Sequence, residues 1–227
     1  ALSIAGHVET LLLPLLESLG ERVGLVGYCA GGTMAFAAAT LHPVERVAAI
    51  AAPWRFSGFP DTARSALGAL WEQAGPLAHR LGLLPMEVLQ TAFWRLDPAR
   101  TISKYERFGR LDPASDSARS FVALEGWAND GPPLTHAAAR ELLEDLFRDD
   151  RSGRGLWKVG GAVIDPAALA CPLLDIASTT DRIVPSASAC GAGESLRLGL
   201  GHVGMIVGGR AREAVWEPLA RWLVQAP

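Results

Sequence analysis

Gly27-Tyr28-Cys29-Ala30-Gly31 sets a thiol between two glycines. Ahead of it Arg22 to Val26 reads as a short buried strand. After it Thr33 to Leu41 reads as a helix of small residues that His42-Pro43 stops, so Gly27 to Gly32 is the turn between them. A strand-turn-helix elbow of this form holds a nucleophile on strained backbone. Gly27 and Gly31 are expected to be small so that strand and helix can approach, while the helix N-terminus points N–H groups and positive dipole at the sulfur. The plain alternative is a small hydrophobic cysteine buried in a glycine-rich turn.

An elbow nucleophile needs a base, and along the chain the order is nucleophile, acid, histidine. His7 precedes the nucleophile, His42 ends the elbow helix, and His79 and His136 fall in a long helical stretch where a solvated surface histidine is the default. His202 is left, in Leu200-Gly201-His202-Val203-Gly204, directly after the last predicted strand; its alternative is a loop histidine with no task. For the acid, Asp181 lies in Thr179-Thr180-Asp181-Arg182-Ile183-Val184-Pro185, the loop that follows the strand Pro172 to Ser178. Asp175 is the rival, but it sits mid-strand, where side chains point across the sheet faces rather than toward the edge.

The elements that would carry these residues follow a strand-helix-strand rhythm. His7 to Leu19 has helical periodicity, Gly20 can cap it, and Val47 to Ala52 is an apolar run suited to a strand covered on both faces. From Pro53 to about Val163 the pattern changes to amphipathic helices, roughly Thr62 to Gln73, Pro85 to Arg95, Ser117 to Ala128 and Thr135 to Arg148. The rhythm then returns, with Pro185 to Cys190 as a short helix, Ser195 to Leu198 as a strand, and Arg212 to Val224 as a closing helix with Trp216, Leu219 and Leu223 on one face. The expectation is one domain over residues 1–227, its core formed by 1–53 and 164–227 and its helical cap by about 54–163. The chain starts at Ala1 and enters almost at once what reads as the middle of a fold, so an N-terminal part is expected to be missing from it.

Composition excludes much else. With 227 residues, 49% hydrophobic and 20% charged, the chain folds without help from disulfides. A net charge of -3 with no basic run argues against nucleic acid. Cys29, Cys171 and Cys190 are widely spaced, with no CxxC pair and no His-x-x-x-His, so no metal site is expected and a reducing cytoplasm fits best. No segment reaches the ~20 apolar residues of a transmembrane helix, and no secretory leader is recognisable. Neither a P-loop nor a G-x-G-x-x-G follows a strand, and no carboxylate pair has glycosidase spacing, so no cofactor is expected.

Three segments, Gly27-Tyr28-Cys29-Ala30-Gly31-Gly32-Thr33, Thr180-Asp181-Arg182-Ile183-Val184-Pro185 and Gly201-His202-Val203-Gly204-Met205-Ile206-Val207, resemble the signature segments of the polyhydroxyalkanoate synthases within the α/β-hydrolase fold. Leu124-Glu125-Gly126-Trp127-Ala128-Asn129-Asp130 is similar to that family's cap segment. The resemblance implies a mostly parallel sheet with an inserted helical cap, Cys29 as nucleophile, His202 as its base and Asp181 as the residue that orients the imidazole. It implies the Ala30 N–H as one oxyanion donor, a second donor lying on an earlier loop. It also implies strands ahead of the elbow strand, where only a helix is read, so the first strands of the fold are expected to be missing from this chain. The implied substrate is a hydroxyacyl-coenzyme A thioester, its acyl group passing to a hydroxyl of another acyl unit. The alternatives are a thioesterase, esterase or polyester depolymerase, and a non-catalytic relative that binds a granule surface or another partner. Self-association into a homo-oligomer is compatible with each.

Overall fold

The computed structural model describes residues 1–96 and 98–225, apart from the side chains at positions 92, 93, 95, 96, 98 and 100. A helical stretch, α1 (residues 4–18), leads through Gly20, whose φ of 69° favours glycine, to strand β1 (Gly24–Tyr28). Helix α2 (Ala30–Leu41), strand β2 (Arg46–Ile50), strand β3 (Leu173–Ser178) and strand β4 (Glu194–Leu198) build the rest of the core with the short helix α8 (Gly204–Val207) and the closing helix α9 (residues 212–223). Between β2 and β3 come α3 (Asp61–Leu81), α4 (Met86–Leu96), α5 (Pro98–Phe108), α6 (Asp116–Asn129) and α7 (residues 136–148), with two short two-residue ladders beside them.

The sheet runs in the order β1-β2-β3-β4 and every pairing is parallel. Parallel pairing forces each connection back across the sheet, so the C-terminal ends of all four strands share one edge. Burial follows position. Every residue of β2 and of β3 is buried, in keeping with their largely apolar sequences, whereas β1 and β4 at the margins keep exposed residues. β1 lies two residues later than the expected Arg22 to Val26, because its ladder with β2 continues to Tyr28 opposite Ile50 and runs straight into the elbow. Helix α2 lies against the sheet with Ala35, Phe36, Ala37 and Ala38 buried, which explains its small-residue composition.

The insertion departs from expectation in extent. α3 continues past Gln73 through Pro76 to Leu81, where Gly82 at φ 74° ends it, and α5 was not anticipated because its polar run hides the apolar period. The expected short helix after Pro185 is a single 3-10 turn, Ser186–Ser188. In α9 the buried face is Val215, Leu219 and Trp222, while Trp216 is 37% exposed. The wide π-type turn over Arg212–Trp216 rotates the face relative to a regular helix. Trp222 donates its indole N–H to Glu194 at 2.7 Å and lies under the Arg46 guanidinium, fixing α9 to the sheet. One core cluster joins Phe36, Ile50, Ile176 and Trp222 to Trp54, Phe56, Leu146 and Trp157 at the two roots of the insertion. A smaller cluster of Ala78, Leu84, Ala139 and Leu143 lies under α3 and α7. Among the described residues no helix is long and apolar enough to cross a membrane.

Candidate active site

The sheet edge assembles the site from three places. Cys29 follows β1 directly, Asp181 lies three residues beyond the end of β3, and His202 four beyond the end of β4. Since the strands are parallel, all three fall at the same C-terminal edge although 173 residues separate the first from the last. Cys29 has φ 54° and ψ -129°, a conformation that costs a non-glycine residue on the order of 1–3 kcal/mol. The backbone holds it there: the Cys29 N–H donates to Ile50 O at 2.9 Å and the Gly32 N–H to Cys29 O at 2.9 Å. Ala30 opens α2, so its N–H belongs to the helix N-terminal donors that have no intrahelical acceptor.

The elbow glycines do not share the steric load as expected. A Cβ on Gly27 would come within 2.5 Å of Gly31 O and the Gly32 Cα, and one on Gly32 would collide with the Ala52 Cβ. A Cβ on Gly31 meets nothing within 4 Å. The close approach of helix to strand is made by Gly27 and Gly32, and the role expected of Gly31 falls on its neighbour. Thr33 then ties the helix to the loop after β2, its hydroxyl donating to Pro53 O at 2.6 Å.

Asp181 has both carboxylate oxygens engaged. Oδ1 accepts the N–H groups of Ile183 at 2.8 Å and Val184 at 3.0 Å, and Oδ2 lies 2.7 Å from His202 Nδ1. The two backbone bonds fix the carboxylate, and the carboxylate fixes the ring. With Nδ1–H donating to Asp181, the other ring nitrogen is left unprotonated in the neutral ring, and Cys29 lies near enough for its field to act on the imidazole. Burial works against charge on this ring, yet the hydrogen bonds and fields of Asp181 and Cys29 together raise its pKa from 6.5 to about 9. Asp175 stays away from the ring. It is buried within β3, accepting the Gly191 N–H at 3.2 Å and Arg197 Nη2 at 3.3 Å. Burial, with the nearby Asp175 charge, pushes the Cys190 thiol up to about 11, and burial also raises Cys171.

With that geometry in hand, known proteins can be set beside it. A family model described as the dienelactone hydrolase family matches residues 9–63, the helix, elbow and second strand. The poly(3-hydroxyalkanoate) polymerase subunit PhaC of Allochromatium vinosum is 28% identical over 97% of this chain and 65% of its own length. That of a Synechocystis species is 27% identical over 91% of this chain and 59% of its own. The chain is thus similar along nearly its whole length to polyhydroxyalkanoate polymerase subunits. It spans less than two thirds of the length of these relatives. Solved structures share its fold: a thermophilic esterase from Thermogutta terrifontis (TM-score 0.55, 19% identity, 97% of this chain and 72% of that one) and an extracellular alpha/beta-hydrolase from a Paenibacillus species (0.53, 14%, 97% and 79%). Homoserine O-acetyltransferase from Staphylococcus aureus does so too, at TM-score 0.54 and 16% identity over 99% of this chain and 66% of that one.

Two residues of this candidate site are absent from the motif reading. Ser178, the last residue of β3, is 1% exposed, and its Oγ lies 3.0 Å from Leu200 N, 3.1 Å from Leu198 O and 3.3 Å from Thr180 N. It fastens the loop of Asp181 to the loop of His202. A hydroxyl at the end of a buried strand was its only signal. Tyr28 was visible only as the variable residue of the elbow, yet its ring lies 4.7 Å from the His202 ring, tilted by 31°. Among the described residues, no group of three or more His, Cys, Asp or Glu is placed to hold a metal ion.

Proposed function

We propose that this chain carries the reacting groups of a polyhydroxyalkanoate synthase-type acyltransferase that takes hydroxyacyl-coenzyme A thioesters. The observation that carries the reading is a cysteine on strained elbow backbone at the same sheet edge as an imidazole that Asp181 orients through a 2.7 Å hydrogen bond. The Cys29 sulfur attacks the thioester carbonyl, and the Ala30 N–H stabilises the oxyanion that forms. The carbon–sulfur bond to coenzyme A breaks, and protonated His202 gives its proton to the departing thiolate. The acyl group then sits on Cys29 as a thioester, so the energy of that bond is kept for the next transfer. A hydroxyl of a second hydroxyacyl unit attacks, His202 takes its proton, and an ester forms as Cys29 is released. Similarity to the polymerase subunits over nine tenths of the chain supports transfer as the outcome.

The test uses the full-length protein with 3-hydroxyacyl-coenzyme A, following free coenzyme A and the products by mass spectrometry. Coenzyme A release with ester-linked oligomers is expected, and Cys29→Ala should abolish both. Release with free hydroxy acid as the sole product would make the protein a thioesterase. No release at all would leave the non-catalytic, partner-binding reading.

A further inference from the structure

Tyr28 sits inside the elbow motif, and the chemistry above does not use it. Its ring lies against the His202 imidazole with centroids 4.7 Å apart. Its hydroxyl oxygen is fully buried and has no hydrogen-bond partner among the described residues. The phenol is far harder to ionise than a free tyrosine, first because of burial and then because charge on Cys29 or Asp181 repels a phenolate. The ring thus lies against the candidate base on the residue next to the candidate nucleophile, and its hydroxyl remains an O–H at any working pH.

A buried hydroxyl without a partner is an expense the fold does not need, since phenylalanine would fill the same space beside the histidine. The arrangement fits a ligand that brings its own hydroxyl into the site. Such a group sheds water when it enters, and pairing with the Tyr28 hydroxyl compensates both at once. A plain acyl chain would leave the tyrosine unpaired and gain nothing from it, which is how a site built for a substrate hydroxyl discriminates against the analogue that lacks one. The carbonyl oxygen has its own donor at Ala30, so the Tyr28 hydroxyl is available to a second oxygen.

Resting on the acyltransferase reading, we propose that Tyr28 is a specificity-determining residue whose hydroxyl hydrogen-bonds the hydroxyl of a 3-hydroxyacyl group held at Cys29. The substitution Tyr28→Phe removes that hydroxyl and keeps the ring against His202.

The experiment measures kcat/KM for coenzyme A release by full-length wild-type protein and Y28F with two thioesters, 3-hydroxybutyryl-coenzyme A and butyryl-coenzyme A. Wild type should favour the hydroxylated substrate, and Y28F should lose roughly three- to tenfold of that preference, the span of one neutral hydrogen bond. Thermal unfolding of Y28F should fall at or above that of wild type, because no protein hydrogen bond is lost. A preference ratio that survives in Y28F, with both substrates slowed alike, would overturn the proposal and leave Tyr28 as a residue that only positions the imidazole. A lowered unfolding temperature would likewise overturn it, revealing a partner within the fold. Wild-type protein that releases coenzyme A from neither thioester would overturn the acyltransferase reading itself, an outcome visible before the variant is made.

Discussion

The sheet edge and the helical insertion face each other in chain order but differ in how they are held. At the edge, β2 and β3 are buried along their whole length, the Asp181 carboxylate has three partners, and the Ser178 hydroxyl joins two loops. In the insertion, Trp127 is 58% exposed, Val122 59%, Ile102 61% and Trp94 47%. Phe121 packs on Phe108 and Tyr105 within the same helices, and Trp71 donates to Glu144 at 2.7 Å rather than reaching the elbow. Trp71, Phe93, Trp94, Phe121 and Trp127 give the insertion enough aromatic residues to roof an active site or to pack its own core, and the side chain of Phe93 lies outside the described residues. The contrast teaches that the candidate site residues are held by rigid elements and buried hydrogen bonds, while the insertion leaves several of its large side chains in solvent.

The most severe way to break this contrast is at the acid. Asp181→Asn keeps the shape but removes the charge that holds the imidazole, and coenzyme A release should fall on the order of 10²- to 10⁴-fold. The His202 pKa, read by NMR titration, should drop from about 9 toward its ordinary value of 6.5. A next test separates the two glycines that the motif treats alike. Gly32→Val must collide with Ala52, lowering stability by about 1–3 kcal/mol in denaturant unfolding. Gly31→Ala, with open space around its Cβ in a helix, should instead gain about 0.5–1 kcal/mol.

Stability should also respond to pH through His202. Its pKa is raised in the folded state, so its contribution is complete below pH 6.5 and disappears as pH climbs through about 9. Relative to His202→Gln, wild-type protein should lose on the order of 1–3 kcal/mol between pH 6 and 10, measured by urea midpoints. A gap that widens over that range would mean the ring is neutral in the fold. The smallest effect belongs to the insertion: Trp127→Ser should shift unfolding by less than about 0.5 kcal/mol, because over half of that side chain already faces solvent.

Much of the site was legible because its parts are local. A thiol flanked by glycines between strand and helix identifies an elbow from seven residues, and the order of Asp181 and His202 after it follows from strands that end just before each. The inner strands were readable because burial on both faces imposes unbroken apolar runs such as Val47-Ala48-Ala49-Ile50. α5 escaped because Arg100, Lys104 and Arg107 interrupt the apolar pattern, and the face of α9 was misassigned because one wide turn changes the angle of every residue after it. Gly31 and Gly32 are chemically identical, so only the position of Ala52 distinguishes them.

The sequence by itself determined which groups are present, their order, and the strands that deliver them to one edge, since propensity and periodicity act over a few residues. Tertiary structure alone decided that Tyr28 lies on His202 and that Ser178 ties the loops of Asp181 and His202. Those relations join residues 20 to 174 positions apart, as between Tyr28 and His202, and depend on angles fixed by packing across the whole sheet. No local pattern encodes such angles, because a shift of one residue in register or one turn in a helix redirects a side chain without changing its neighbours in sequence.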